Sequence, residues 1–212
     1  LIRKHIHVSA ETKILDLACG KGAVSVNLAK ELGCMVRGID LIPEFIDFAR
    51  KKAIEYGVEA LCGFIVGDIN EAVNAERDYD LVVLGAVGVV LGTPEETIRK
   101  LKQTIKPEGY ILIDDAYGKK GVDDGYYSRE EWLLIFEKMK VRLIAEKIVE
   151  EDELIDLNRE QQGLIRKRAN ELMKKYPEKA NLFGDYIRSQ QAECDLLEND
   201  IIGVTMLIQK MK

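Results

Sequence analysis

The chain has 212 residues, 47% of them hydrophobic and 32% charged, with 31 basic side chains against 37 acidic ones and a net charge of −6. That length suits one well-buried α/β domain with an appendage and falls short of two independent domains. The acidic balance argues against a nucleic-acid substrate gripped through its phosphates, no apolar run approaches the roughly 20 residues of a membrane span, and no signal-peptide core is present.

His5 and His7 alternate near the N-terminus and lack a metal-spaced partner, so both are expected on a surface strand or turn rather than at a metal. The first strand is predicted over 13–17. Its apolar run contains Asp16 and passes into the turn Gly20-Lys21-Gly22, after which a helical pattern begins at Ala23 and stops at Gly33. A strand, a tight loop and a helix N-terminus present backbone N–H groups and a positive dipole end to an anionic group of a ligand. Glycine lets the backbone come close to that ligand and take positive φ. The second strand, 35–39, leads into Asp40, 18 residues after Gly22. That is near the roughly 20-residue offset at which an acid takes a ribose hydroxyl pair. Pro43 opens the next helix, which stops at Gly57.

A third strand, 61–66, is followed by Gly67-Asp68, and a fourth, 79–84, by Gly85-Ala86. Thr93-Pro94-Glu95-Glu96 is a capping box that starts a helix running to about Ile105, before Lys106-Pro107. The fifth strand, 109–114, leaves Asp114 and Asp115 at its end and Tyr117 in its loop. Ser128-Arg129-Glu130-Glu131 forms a second box, opening a helix with Trp132, Leu133, Ile135, Phe136 and Met139 on its buried side. Val141 to Val149 and Ile201 to Gln209 read as the last two strands. Between them, residues 152–199 read as a helical hairpin. Leu157, Gln161, Leu164, Ile165, Arg168, Ala169, Leu172 and Tyr176 recur at helical spacing in its first arm. Phe183, Tyr186, Ile187, Gln190, Cys194 and Leu197 do so in its second.

Strands and helices alternate almost throughout, which favours a parallel sheet with helices on both faces. Sheets of that kind bind ligands beyond the carboxyl ends of the strands. Three strands ending in an acid or a Gly-rich turn, all in one half of the chain, describe a nucleoside-binding edge. The four cysteines, Cys19, Cys34, Cys62 and Cys194, are far apart and without a C-x-x-C pair, as expected of reduced, buried thiols in a cytoplasmic protein.

Asp16-Leu17-Ala18-Cys19-Gly20-Lys21-Gly22, the acid Asp40 and the pair Gly67-Asp68 together resemble the S-adenosylmethionine signature of class I methyltransferases. Gly85-Ala86 and Lys106-Pro107-Glu108-Gly109 resemble its small-molecule type 11/type 25 branch, and the likeness extends over residues 13 to about 118. Ala18 stands where that family has its first glycine, a replacement of little cost where φ is negative, and Glu108 interrupts the usual Pro-Gly-Gly. The resemblance implies one α/β domain over 1–212. It would hold a doubly wound seven-stranded sheet of order 3-2-1-4-5-7-6, with strand 7 antiparallel and the hairpin inserted before it.

The same resemblance implies a cofactor, S-adenosylmethionine, and a role for each matching position. Asp40 would hold the ribose hydroxyls. Asp68 would accept from the adenine amine and the Ile69 amide would donate to the ring, with Leu41 and Phe45 sandwiching the base. Asp16 and the backbone at Ala18, Gly20 and Gly22 would face the methionine portion, and Gly85 would line the same cleft. Methyl transfer is an in-line displacement governed by orientation and desolvation, and a general base helps where the acceptor is a hydroxyl or ammonium. Asp114, Asp115 and Tyr117 are the best-placed candidates, with Tyr126, Tyr127 and Glu193 more remote.

The signatures of DNA amino-methyltransferases, cytosine C5 enzymes and arginine methyltransferases are absent, which points to a small-molecule acceptor and a monomer or homodimer. The hairpin, with Tyr176, Phe183 and Tyr186, is expected to be a lid over the acceptor pocket or else a dimerisation element. Two other classes stay open. One is a nicotinamide-dependent oxidoreductase, since Gly20-x-Gly22-x-x-Ser25 nearly spells a dinucleotide fingerprint, and the other is a non-catalytic module that binds the cofactor.

Overall fold

A computed structural model of the chain describes residues 1–119 and 125–211. Seven strands form one mixed sheet: β1 (Lys13–Leu17), β2 (Met35–Asp40), β3 (Cys62–Val66), β4 (Tyr79–Gly85), β5 (Ile105–Gly118), β6 (Val141–Ile148) and β7 (Ile201–Lys210). Their order across the sheet is β3-β2-β1-β4-β5-β7-β6. The first five strands pair in parallel, with Asp16 level with Gly38 of β2 and Val83 of β4. β7 is antiparallel, and its bonds show the reversal. Thr205 bonds to Asp114 and Gln209 to Glu108 on β5, while the Val149 N–H reaches Gly203 O and the Met211 N–H reaches Lys140 O beside β6.

Helices α1 (Ile2–His5), α2 (Ala23–Leu32), α3 (Pro43–Glu55), α4 (Ile69–Ala75), α5 (Pro94–Thr104) and α6 (Arg129–Lys138) follow the alternation, and α7 (Glu151–Lys175) and α8 (Ala180–Asn199) form the hairpin. The central strands are apolar on both faces because both are covered. Ile14, Leu81 and Val83 join Val26 and Ala29 of α2 and Ile46, Ala49 and Ala53 of α3 in one core, while Leu15, Leu17 and Val82 are also buried. Pro43 occupies the first turn of α3, and the Thr93–Glu96 capping box closes both ways at the start of α5.

The chain forms two compact units. One comprises Leu1–Asp115, Glu130–Lys147 and Thr205–Lys212, and the other Ala116–Arg129 and Ile148–Val204. In the first, β5 begins four residues earlier than the sequence suggests. Ile105 is extended and pairs with Tyr79, and the ladder then shifts register before Tyr110 meets Leu81. Glu108, which interrupts the usual Pro-Gly-Gly, takes a φ of +60° inside that irregularity. His5 closes the short α1 instead of lying in a strand or turn, because its neighbour Ile2 is drawn into the core. In α6 the buried stripe is Trp132, Ile135 and Phe136. Leu133, expected with them, is 36% exposed because it projects about 100° around the helix from Trp132.

The larger correction lies in the second unit. The first hairpin arm buries only part of the expected stripe: Ala169 is buried as expected, but Leu157 and Leu164 are exposed, and Asn158 and Gln162 are buried in their stead. Tyr186 of the second arm is exposed as well. Near the open ends of the hairpin the buried positions are polar because α8 offers partners there. Glu198 accepts from Asn158 and Cys194 from Gln162, and burial follows those bonds in preference to hydrophobicity.

Candidate functional site

The acids singled out in the sequence lie at the carboxyl ends of β1, β2 and β3, where Leu17 is level with Ile39 and Asp40 with Val66. In the loop after β1 every other residue is left-handed, with φ of +54° at Ala18, +55° at Gly20 and +78° at Gly22. The condition for a mild Gly-to-Ala replacement at residue 18 is therefore not met, and alanine there costs about 1–2 kcal/mol. Three bonds hold the loop in shape. The Cys19 N–H donates to Ile39 O (3.0 Å), the Gly22 N–H to Cys19 O (2.9 Å) and the Gly20 N–H to Asp40 Oδ2 (2.8 Å).

Asp40 is 7% exposed and accepts a second backbone donor, the Ile42 N–H, on Oδ1 at 2.9 Å. Its carboxylate thus ties the Gly-rich loop to the turn that enters α3. Neighbouring Leu41 is 68% exposed. Phe45 is half-buried in the first turn of α3, and the Lys21 ammonium lies 5.4 Å from its ring centre and 5.5 Å from that of Phe48. Asp68 is the N-cap of α4, accepting from the Asn70 N–H at 2.8 Å. Ile69 is the first residue of that helix, so its N–H has no intrahelical acceptor. Gly85 ends β4, with open space where a side chain would project.

Asp16 is nearly sealed from water, at 3% exposed, and Ser25 Oγ donates to its Oδ2 at 2.5 Å. Burial pushes its carboxyl up to about 6, and the Asp40 charge adds to that, while the bonds from Ser25 pull it back. Cys19 sits in the same field, and burial together with Asp16 and Asp40 pushes its thiol up to about 12, which leaves it protonated and unreactive.

An acid whose pKa is higher folded than unfolded stabilises the fold most below its unfolded value of 3.8, and this contribution is lost as pH rises to about 6. A shift of this size corresponds to about 3 kcal/mol at neutral pH. Asp16→Asn keeps an acceptor for Ser25 without the charge. The variant is expected to be more stable than the parent at pH 7 by about 1–3 kcal/mol, and to lose the parent's decline between pH 4 and 6. Urea unfolding across that range measures both.

The structure therefore bonds Asp16 to Ser25, and Gly20 to Asp40, as two separate pairs. Asp68 bonds only within its own helix turn. Of the catalytic candidates, Asp114 is exposed and accepts from Thr205 Oγ1 at 3.0 Å, Asp115 is exposed, and Tyr117 is buried at 3% exposed. Ser25 and Lys21 escaped the sequence reading as site residues. The nine-residue separation of Ser25 from Asp16 is a tertiary contact with no local periodicity to announce it. Among the described residues no group of three His, Cys, Asp or Glu is placed to hold a metal ion, and no helix is long and apolar enough to cross a membrane.

A family model described as a methyltransferase domain matches residues 8–181. The malonyl-[acyl-carrier protein] O-methyltransferase of Priestia megaterium is 33% identical over 104 residues, which is 49% of this chain and 36% of that protein. The ubiquinone biosynthesis O-methyltransferase of Shewanella pealeana is 32% identical over 106 residues, 48% of this chain and 42% of that protein. The chain thus spans less than half the length of these curated relatives. A solved structure of an S-adenosylmethionine-dependent methyltransferase from Thiobacillus denitrificans, in complex with S-adenosylhomocysteine, has a TM-score of 0.79 at 20% identity. It covers 97% of this chain and 87% of that one, a likeness of fold.

Proposed function

Since the chain belongs to the methyltransferase-domain family, we propose that it binds S-adenosylmethionine at the edge formed by β1, β2 and β3 and methylates a small molecule. The observation that carries this reading is the loop–carboxylate unit of Gly20, Asp40 and Ile42. It fixes an acid beside left-handed backbone that leaves room for a ligand, next to an exposed Leu41. In this reading Asp40 takes the ribose hydroxyls, the Asp68 carboxylate and Ile69 N–H take the adenine edge, and Leu41 and Phe45 flank the base. Gly85 lines the cleft, and Asp16 receives the ammonium of the methionine portion, with Ala18, Gly20 and Gly22 contributing backbone.

The bound sulfonium supplies an already activated methyl group. What the chain has to provide is alignment of the acceptor and exclusion of water, so a general base is needed only for a protonated acceptor. β5 runs on to Gly118 instead of ending at 114, so Asp114 and Asp115 lie within the strand; both are exposed there, unlike Tyr117, which makes them the better bases. The two relatives named above are O-methyltransferases, which favours an oxygen acceptor. The hairpin of residues 152–199 is the element that selects it.

Calorimetric titration tests the cofactor: S-adenosylhomocysteine is expected to bind and oxidised nicotinamide dinucleotide not to. The reverse order would replace this reading with an oxidoreductase. Because Asp16 must be charged to pair with an ammonium, affinity is expected to fall as pH drops through about 6. Bridging Glu151 to Asp200 with a short Gly-containing turn is expected to keep cofactor affinity within about threefold, or roughly 0.65 kcal/mol, while abolishing methyl transfer. Retained turnover with a dimer becoming a monomer would make the hairpin an assembly element.

A further inference from the structure

The hairpin arms line a pocket of about 320 Å³, open to solvent on one side, within the usual range of small-ligand sites, roughly 300–1,000 Å³. Six of its nine lining residues are polar or charged, where the seam of a two-helix packing is ordinarily apolar. Three rungs cross from α7 to α8. Asn158 Nδ2 donates to Glu198 Oε1 (2.9 Å), Gln162 Nε2 to Cys194 Sγ (3.3 Å) and Arg166 Nη2 to Gln191 Oε1 (2.7 Å).

The middle rung is incomplete. Gln162 is 6% exposed, lines the cavity, and its Oε1 is the one buried side-chain polar atom among the described residues without a hydrogen-bond partner. An orphan of this kind costs about 1–3 kcal/mol. Turning the amide over exchanges which atom is orphaned but leaves one, since Cys194 can serve only one end. The outer rungs carry opposite charges that are not neutralised: among the described residues no cation pairs with the Glu198 carboxylate, and no carboxylate pairs with Arg166.

Gly163 also lines the cavity. Its backbone is ordinary helix, and a Cβ there would meet nothing within 4 Å. Glycine in a helix interior costs roughly 1 kcal/mol relative to alanine, and no close contact or positive φ calls for it here. What its lack of a side chain does is leave the cavity open.

We propose that this cavity binds an elongated dipolar small molecule, with an ammonium at the Glu198 end and a carboxylate at the Arg166 end. A polar N–H or O–H of the same molecule satisfies Gln162. Eight residues separate Asn158 from Arg166, a rise of about 12 Å. Even after the reach of the Arg and Glu side chains, a molecule with well-separated charges bridges the rungs and a compact one such as glycine does not. The site lies wholly within the hairpin unit and is independent of the methyl-transfer reading.

The test titrates the full chain with 6-aminohexanoate, L-lysine, glycylglycine and glycine, and with hexylamine and hexanoate as single-charge controls. The longer zwitterions are expected to bind one per chain and at least about tenfold more tightly than glycine or either control, a difference of about 1.4 kcal/mol. Gly163→Leu and Gln162→Leu are each expected to weaken that binding at least about tenfold. Neither should lower the melting temperature, since one removes a helix glycine and the other an orphaned oxygen. Absence of binding by every zwitterion, equal binding of the single-charge controls, or binding unchanged in both variants would overturn the proposal. The same samples titrated with S-adenosylhomocysteine keep the two readings apart, because neither residue is among those proposed to hold that cofactor.

Discussion

Gly22→Ala is expected to cost the fold about 2–5 kcal/mol. The backbone there has a φ of +78°, which an L side chain adopts at about 1–2 kcal/mol. The new Cβ would stand 2.7 Å from Ala49 Cβ, 3.1 Å from Phe64 Cζ and 3.3 Å from Ala49 Cα. Neither neighbour can yield easily, because Ala49 is fully buried in α3 and Phe64 is 5% exposed in β3. Overpacking of this kind adds about 1–3 kcal/mol. Gly20→Ala is the internal control. Its φ is +55° but its Cβ would meet nothing within 4 Å, so the conformational cost stands alone at about 1–2 kcal/mol. Urea midpoints of the two variants measured together separate strain from collision, and equal losses would show that the Ala49 contact relaxes freely.

Asp40→Ala is expected to weaken S-adenosylhomocysteine binding by about 1.5–3 kcal/mol, a factor of roughly 10–150. The carboxylate does two things at once. It accepts the Gly20 and Ile42 amides, which shapes the loop, and in the proposed role it takes the ribose hydroxyls. Alanine removes both and leaves two amides unpaired in a nearly buried place. Asp40→Asn retains one neutral acceptor and is expected to lose less. Calorimetry on the three proteins decides the matter, and an alanine variant that binds within twofold of the parent would remove Asp40 from the ribose role.

The positions of β1 to β4 were legible because the central strands are continuous apolar runs bounded by Gly, Pro and acids, and each of those signals is local; the sheet order came with the family resemblance, and β5 extends beyond 109–114 at both ends. The Gly-Lys-Gly turn and the two acids that bond or neighbour it were legible for the same reason. Features set by packing were not. Gly38 looks like a weak point in an apolar strand. It is required because a Cβ there would lie 2.7 Å from Phe64 and 2.8 Å from Cys19 Sγ. Ser25 reads as a poor substitute for a dinucleotide-binding glycine, yet its hydroxyl is the group that holds Asp16. The buried face of α7 was misread because hydrophobic spacing gives no weight to Asn158 and Gln162, whose partners lie 40 and 32 residues away.

Asp16 carries a charge where water hardly reaches, and that has a consequence for the lifetime of the polypeptide. Without a counter-charge the chain holds part of its folding free energy in reserve, and a ligand whose ammonium settles against Asp16 returns it. Occupancy then adds the mass-action gain of a ligand that binds only the folded form. Proteases that sample transiently opened chains cleave in proportion to the open population. In the proposed reading, survival of the protein in the presence of a protease therefore reports the supply of the methyl donor, with the empty form removed first.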